Sequence, residues 1–204
     1  VTHAIVTRQG GLGNILDDLS ALASAFQSYS STGSMGPWIG QQITAFNQLP
    51  NSVTILQQQI ASVSQVFSTN GVLATGVGDD VTQAGTLLAG VVANYPAASA
   101  QLNALTVRLL PIMSKLYVGN MDADVVQVLT ANATETISTM HVITGLLADR
   151  DRAQLLVQQA AANPTLSPTI RDQALSALAN ASGSAWLKYV LYGGAALFIL
   201  KKVF

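Results

Sequence analysis

Apolar residues recur at intervals of three and four along nearly the whole chain, and that spacing points to helices rather than strands, which need a period of two. Ile15, Leu19, Leu22, Phe26 and Tyr29 form one such stripe, and Val53, Leu56, Ile60, Val63 and Phe67 form another. The fold class expected is all-α: a multi-helix bundle of short to medium helices, followed by a C-terminal hydrophobic helix of transmembrane character. With 204 residues, 50% of them hydrophobic, the chain is long enough to bury a substantial core.

Helix punctuation sets the expected boundaries. Pro37 after Gly36 suits the first turn of a short helix, and Gly71 suits the stop after the second stripe. Asp79 and Asp80 favour a helix start, and Ala84, Gly85, Ala89 and Gly90 behind them allow another helix to approach closely. Pro96 is expected to end that helix. Leu102, Leu105, Leu109, Ile112 and Leu116 share a face of the next, with Pro111 kinking or dividing it. Asp122 or Asp124 caps a longer helix to about Leu147, with Val126, Leu129, Ala133, Met140 and Leu147 near one side. The charged run Asp149 to Arg152 reads as a boundary before a short helix, LLVQQAAAN. A turn, NPTLSP, follows, with Ser167 and Pro168 as N-cap and first residue of a last body helix. Residues 1–11 are expected to be a flexible N-terminal segment, 12–181 the helical body, 182–185 a hinge and 186–204 a membrane-anchor helix. No repeat of fixed period is seen.

Charge is the unusual feature. Only 9% of residues are charged, against roughly 25% in an ordinary soluble domain. The stretch Leu19 to Gly78 has no Asp, Glu, Lys or Arg. Its polar face is expected from residues such as Gln41, Gln42, Gln57, Gln58 and Gln59. Amides and hydroxyls lose less on desolvation than ions do, which suits contacts between subunits or a water-filled lumen. A net charge of -1 supplies no basic excess for phosphates, so stable nucleic-acid binding is not expected. Without cysteine there is no disulfide framework or thiolate site. The opening VTHAIVTRQGG does not read as a secretory signal.

The search for chemistry returns structural roles. QGGLGN, Gln9 to Asn14, lacks the lysine and the preceding strand of a phosphate loop and reads as the entry to a helix. Asn120, Asp122 and Asp124 alternate like the first ligands of a calcium loop. The sixth position would be Val125 and the twelfth Ala131, so helix capping is the better account. His3 and His141 are not at metal-ligand spacing, and His141 is expected to be partly buried in a helix. Glu135 is the one glutamate and has no partner carboxylate nearby in sequence. GSMG at Gly33 to Gly36 lacks the form of a serine-hydrolase elbow. The glycosylation patterns at Asn132 and Asn180 are expected to be idle. No enzyme activity, cofactor or metal is expected.

The end of the chain, WLKYVLYGGAALFILKKVF, bears on the membrane. Twelve uncharged residues separate Lys188 from Lys201, about 18 Å of helix, short of a hydrocarbon core of roughly 30 Å. Counting Trp186 to Phe204 brings the span close to that thickness, because lysines snorkel. Trp186, Tyr189 and Tyr192 make an aromatic cluster at one interface, and Lys201 and Lys202 mark the other. Gly193 and Gly194 give another helix room midway, and Leu197 and Phe198 sit in the apolar half. LYGGAALFIL is apolar all round, which favours insertion over an amphipathic helix in a soluble bundle; burial in a large assembly is the other reading.

An anchor behind a charge-poor, Gln/Ser/Thr/Ala-rich helical body is similar in texture to minor virion proteins of bacterial or archaeal viruses. In these, helical subunits sit on an internal membrane or are ejected to form a conduit through the host envelope. The similarity implies a non-enzymatic virion protein, placed on the virion membrane and in the host membrane during entry, that aids genome delivery. Its partners would be a lipid bilayer and further copies or other virion proteins. The alternative is a cellular α-helical pore-forming toxin or a tail-anchored envelope scaffold.

Overall fold

The computed structural model describes residues 35–118 and 120–181. All regular structure among them is helical: α1 (Met35–Asn47), α2 (Leu49–Thr69), α3 (Gly76–Leu109), a 3-10 turn (Leu110–Ile112), α4 (Met113–Tyr117), α5 (Ala123–Ala131), α6 (Ala133–Ala161) and α7 (Pro168–Ala181). The all-α expectation therefore holds for the described body. The stripe Ile15 to Tyr29, the segments 1–11 and 182–185 and the tail from Trp186 lie outside the described residues.

Pro37 and Pro50 sit in the first turns of α1 and α2, where a missing N–H costs nothing. The end of α2 is a Schellman motif. Gly71 adopts φ 68°, the Val72 N–H donates to the Phe67 carbonyl at 2.8 Å, and the Gly71 N–H donates to the Ser68 carbonyl at 3.2 Å. The expected stop at Gly71 is thus made by a left-handed residue that glycine adopts without strain.

The loop then folds against the first turn of α3. A Cβ added at Gly78 would lie 2.1 Å from the Leu73 carbonyl oxygen, a backbone atom with no rotamer to retreat into. Gly78→Ala is expected to destabilise the chain by about 1–3 kcal/mol, the usual range for forced overpacking. Gly76→Ala, with nothing within 4 Å of the added carbon, should leave urea unfolding nearly unchanged. Equal midpoints for the two variants would refute the close approach.

Three expected boundaries are corrected. The helix does not end at Pro96, because α3 runs through it to Leu109. Buried residues stay in phase across the proline, from Val81, Ala84, Leu88 and Val91 to Ala98, Leu102, Leu105 and Leu109. Packing on both sides offsets the roughly 3 kcal/mol that an internal proline costs. Pro111, by contrast, divides the helix as expected, into the 3-10 turn and α4.

The helix expected from Asp122 to Leu147 is broken at Asn132. Its side-chain amide donates to the Val128 carbonyl at 2.8 Å, closing α5, while its own carbonyl accepts from the Thr136 N–H at 2.9 Å and opens α6. The face of α5 is also shifted by one position, since Val125 is buried and Val126 is 46% exposed. The charged run is no boundary either, because α6 continues to Ala161. Asp149, Asp151 and Arg152 fall on its exposed side, between buried Leu146 and Ala153.

The described body comprises two compact units. In the first, α1 and the parts of α3 and α6 over 95–109 and 133–147 join α4 and α5. Its core includes Ile43, Phe46, Leu102, Leu105, Leu116 and Ile143, and the Phe46 ring stacks on Tyr95 at 4.9 Å. Burial raises the Tyr95 phenol above its ordinary pKa. In the second unit, α2 from Pro50 and α3 to Asn94 join α6 from Ala148 and α7. Val63, Phe67, Leu88, Val157 and Leu178 are buried there. Ser167 caps α7 with its hydroxyl 3.4 Å from the Ile170 N–H, as the Ser-Pro pair predicts.

Candidate interaction surface

Part of the polar surface of the helices is bonded to the helices themselves. Thr54, Thr69, Thr82, Thr86 and Thr136 each donate a hydroxyl to the carbonyl four residues earlier, at 2.8–3.1 Å. Asn70 and Asn94 donate their amides in the same way, at 2.8 and 2.9 Å. A hydroxyl already bonded to its own helix presents mainly its methyl group, so covering that face strips fewer hydrogen bonds to water. Gln59, expected on the polar face, is instead buried at 5% exposure.

Charges are few, and two groups of them are engaged with each other across element ends. Arg108 pairs with Glu135, bridging the end of α3 and the first turn of α6. Lys115 at the end of α4 places its ammonium 2.7 Å from Asp122 Oδ2 and 3.2 Å from Asp124 Oδ2. The pair expected to cap a helix, or to begin a calcium loop, is thus held by a cation of the chain itself. Asp122 is the N-cap of α5, its Oδ1 accepting from the Val125 N–H at 3.1 Å.

The Lys115 hydrogen bond, and then the Val125 N–H, hold the Asp122 carboxyl below its ordinary pKa of 3.8. The same contacts with Asp122 and then Asp124 raise Lys115. A carboxyl depressed in the folded state adds stability above its unfolded pKa and loses it as pH falls through the folded one. Asp122→Ala should therefore melt below the parent at pH 7, with the gap narrowing towards pH 2. Asp122→Asn, which keeps a capping oxygen without the charge, should fall between them. A gap constant over that pH range in thermal melts would remove the ion pair from the account.

The remaining sequence candidates are dispersed. His141 is exposed on α6, correcting the expectation of partial burial, because Met140 and Ile143 take the inward positions around it. Asn132 is used as a helix junction, and Asn180 is exposed near the end of α7. Among the described residues no group of three His, Asp or Glu side chains is placed to hold a metal ion. Two open grooves mark the second unit. One, along α7 and the end of α2, is lined by Val66, Thr169, Asp172, Gln173, Ser176 and Asn180. The other, between α2 and α3, is lined by Gln57, Ile60, Ala61, Gly85, Leu88 and Ala89. The close approach expected at Gly85 and Gly90 is not seen: a Cβ added at Gly85 would lie 4.0 Å from Ile60 Cγ2, ordinary van der Waals contact, and one at Gly90 would meet nothing within 4 Å.

Among the described residues no helix is long and apolar enough to cross a membrane. The anchor positions Trp186, Lys188, Tyr189, Tyr192, Gly193, Gly194, Leu197, Phe198, Lys201 and Lys202 all lie outside the described residues. Sequence reasoning missed the apolar side chains that the first unit leaves outside, among them Val107, Tyr117, Val118 and Ile137. Val107, Tyr117 and Val118 fall out of phase with the stripe Leu102, Leu105, Leu109, Ile112 and Leu116, whereas Ile137 lies three residues before buried Met140 and periodicity alone had no signal for it. The described residues are all-α, with an uncharged, amide-rich portion in α1 and α2. No known protein family, curated protein or solved structure matches the chain.

Proposed function

We propose that this chain is a non-enzymatic, membrane-associated structural protein of a virion, oligomeric, which helps a genome cross a membrane. The observation that carries the reading is the surface chemistry of the helical body. Helices α1 and α2 contain no charged residue over Met35–Thr69. Threonine hydroxyls in both are bonded back to their own carbonyls. A surface of that kind is cheap to cover with protein and poorly suited to holding a free, highly soluble monomer apart from its neighbours. The apolar run Tyr189 to Leu200, flanked by Lys188 and Lys201, supplies the membrane half of the proposal.

Liposome flotation with an alkaline wash tests it, comparing the full chain with a truncation ending at Gly183. Flotation of the full chain alone, resistant to the wash, supports an integral anchor. If both forms stay in the soluble fraction, the membrane role fails and the tail becomes assembly core. Leakage of dye-loaded vesicles caused by the protein alone would favour a pore-forming toxin over a virion component.

A further inference from the structure

The outward face of α2 is laid out so that it matches itself when reversed. Asn51, Thr54, Ile55, Gln58, Ala61 and Gln65 are exposed and Ser62 is half-buried, while Val53, Leu56, Val63 and Phe67 take the inward side. The outward positions follow the three-and-four spacing of a helix–helix seam, a second stripe on the same helix as the core stripe. Reversed about Gln58, the seam pairs Asn51 with Gln65, Thr54 with Ser62, Ile55 with Ala61, and Gln58 with its own copy.

We propose that α2 is the face along which two copies of this chain pair antiparallel, with the two-fold axis beside Gln58. The inference rests on the oligomeric part of the function proposed above and names its interface. Each amide carries both donors and acceptors, so Gln58 can bond to a second Gln58, and Asn51 to Gln65, as no lysine or glutamate could with its own copy. No charge lies anywhere on α2 to oppose this approach.

The bulkier residue meets the smaller at both flanking positions. A parallel pair would set Ile55 on Ile55 and leave Ala61 facing Ala61, an uneven separation, and would align the helix dipoles. Thr54 approaches as a methyl group because its hydroxyl is bonded to the Pro50 carbonyl at 3.0 Å. Lipid is the poorer occupant, since it would leave the amides of Asn51, Gln58 and Gln65 without partners. The groove beside Ala61, floored by Gly85 and Ala89, leaves space on the flank that Ile55 of the second copy would approach.

Because the chain has no cysteine, single-cysteine variants of the full chain in detergent micelles report the register directly. Gln58→Cys should link to itself under mild oxidation, and Asn51→Cys mixed with Gln65→Cys should link several-fold better than either alone. Asp151→Cys, an exposed position on α6, sets the background from random collision. Linkage of Asn51→Cys to itself as strong as the mixed product would overturn the antiparallel arrangement, and linkage of Gln58→Cys at background would overturn the interface. Gln58→Lys, which sets two ammonium groups at the axis, should lower the mass measured by sedimentation, and an unchanged mass would also sink the proposal. Each variant is checked for native helicity by circular dichroism. If the chain floats with vesicles and no linkage forms, this interface is wrong while the membrane reading stands. If linkage forms on protein that does not float, the interface stands without it.

Discussion

Phe46→Ala is expected to lower the unfolding free energy by about 3–5 kcal/mol, the range for deleting a fully buried aromatic ring. Phe46 has no exposed surface and its ring centroid lies 4.9 Å from that of Tyr95, at 29° between planes. The substitution removes the transferred area, opens a cavity and leaves one face of Tyr95 without its stacking partner. That last loss is worth about 0.5–1.5 kcal/mol of the total. Against a typical stability of about 5–15 kcal/mol, roughly a fifth or more of the margin is at stake. Phe46→Leu, which refills much of the space, should cost less. Ile137→Ala, at a position 70% exposed, should stay within about 0.5 kcal/mol of the parent. Urea unfolding followed by circular dichroism orders the three. A Phe46→Ala midpoint equal to that of Ile137→Ala would remove the Phe46 and Tyr95 stack from the core.

The core of this protein was legible because its apolar residues hold one phase over long distances. Leu102, Leu105, Leu109, Ile112 and Leu116, predicted on one face, are all buried. The same phase, followed across Pro96, would have carried α3 through the proline. Reading the residue type as a stop gave weight to one lost hydrogen bond and none to the packing beyond it. The run Asp149 to Arg152 misled for a similar reason. Three of its four charges fall on the exposed side of α6, so they mark a face of the helix and not its end.

Asn132 worked in the opposite direction. Nothing in the apolar spacing breaks there, yet its side chain competes for the Val128 carbonyl and separates α5 from α6. The ion pairs were illegible for a different reason: Arg108 and Glu135 are 27 residues apart, and only the folded arrangement of α3 and α6 sets them together. The outward seam of α2 was hidden because uncharged amides at helical spacing look like any polar face until burial separates the inward from the outward stripe.

Leu197→Lys should weaken partitioning of the chain into vesicles by about 2.5–3.5 kcal/mol, the cost of a lysine near the centre of a spanning helix. That is roughly two orders of magnitude in the partition constant. The argument is one of length. Between Lys188 and Lys201 there are twelve uncharged residues, and at about 1.5 Å each they fill only part of the hydrocarbon core. In the spanning arrangement proposed above, both flanking lysines would have to stretch towards the headgroups, leaving no slack for a third charge between them. Leu197 lies four residues before Lys201, so the new lysine would share that end of the span and compete for the same interface. Tyr192→Lys lies as far from Lys188 as Leu197 lies from Lys201, and it should cost less because it replaces a tyrosine suited to the interface rather than an apolar leucine. Flotation of the three chains at equal lipid gives the comparison. Equal recovery of parent and Leu197→Lys would sink the spanning helix, and with it the idea that the uncharged body is delivered to a membrane by its own tail.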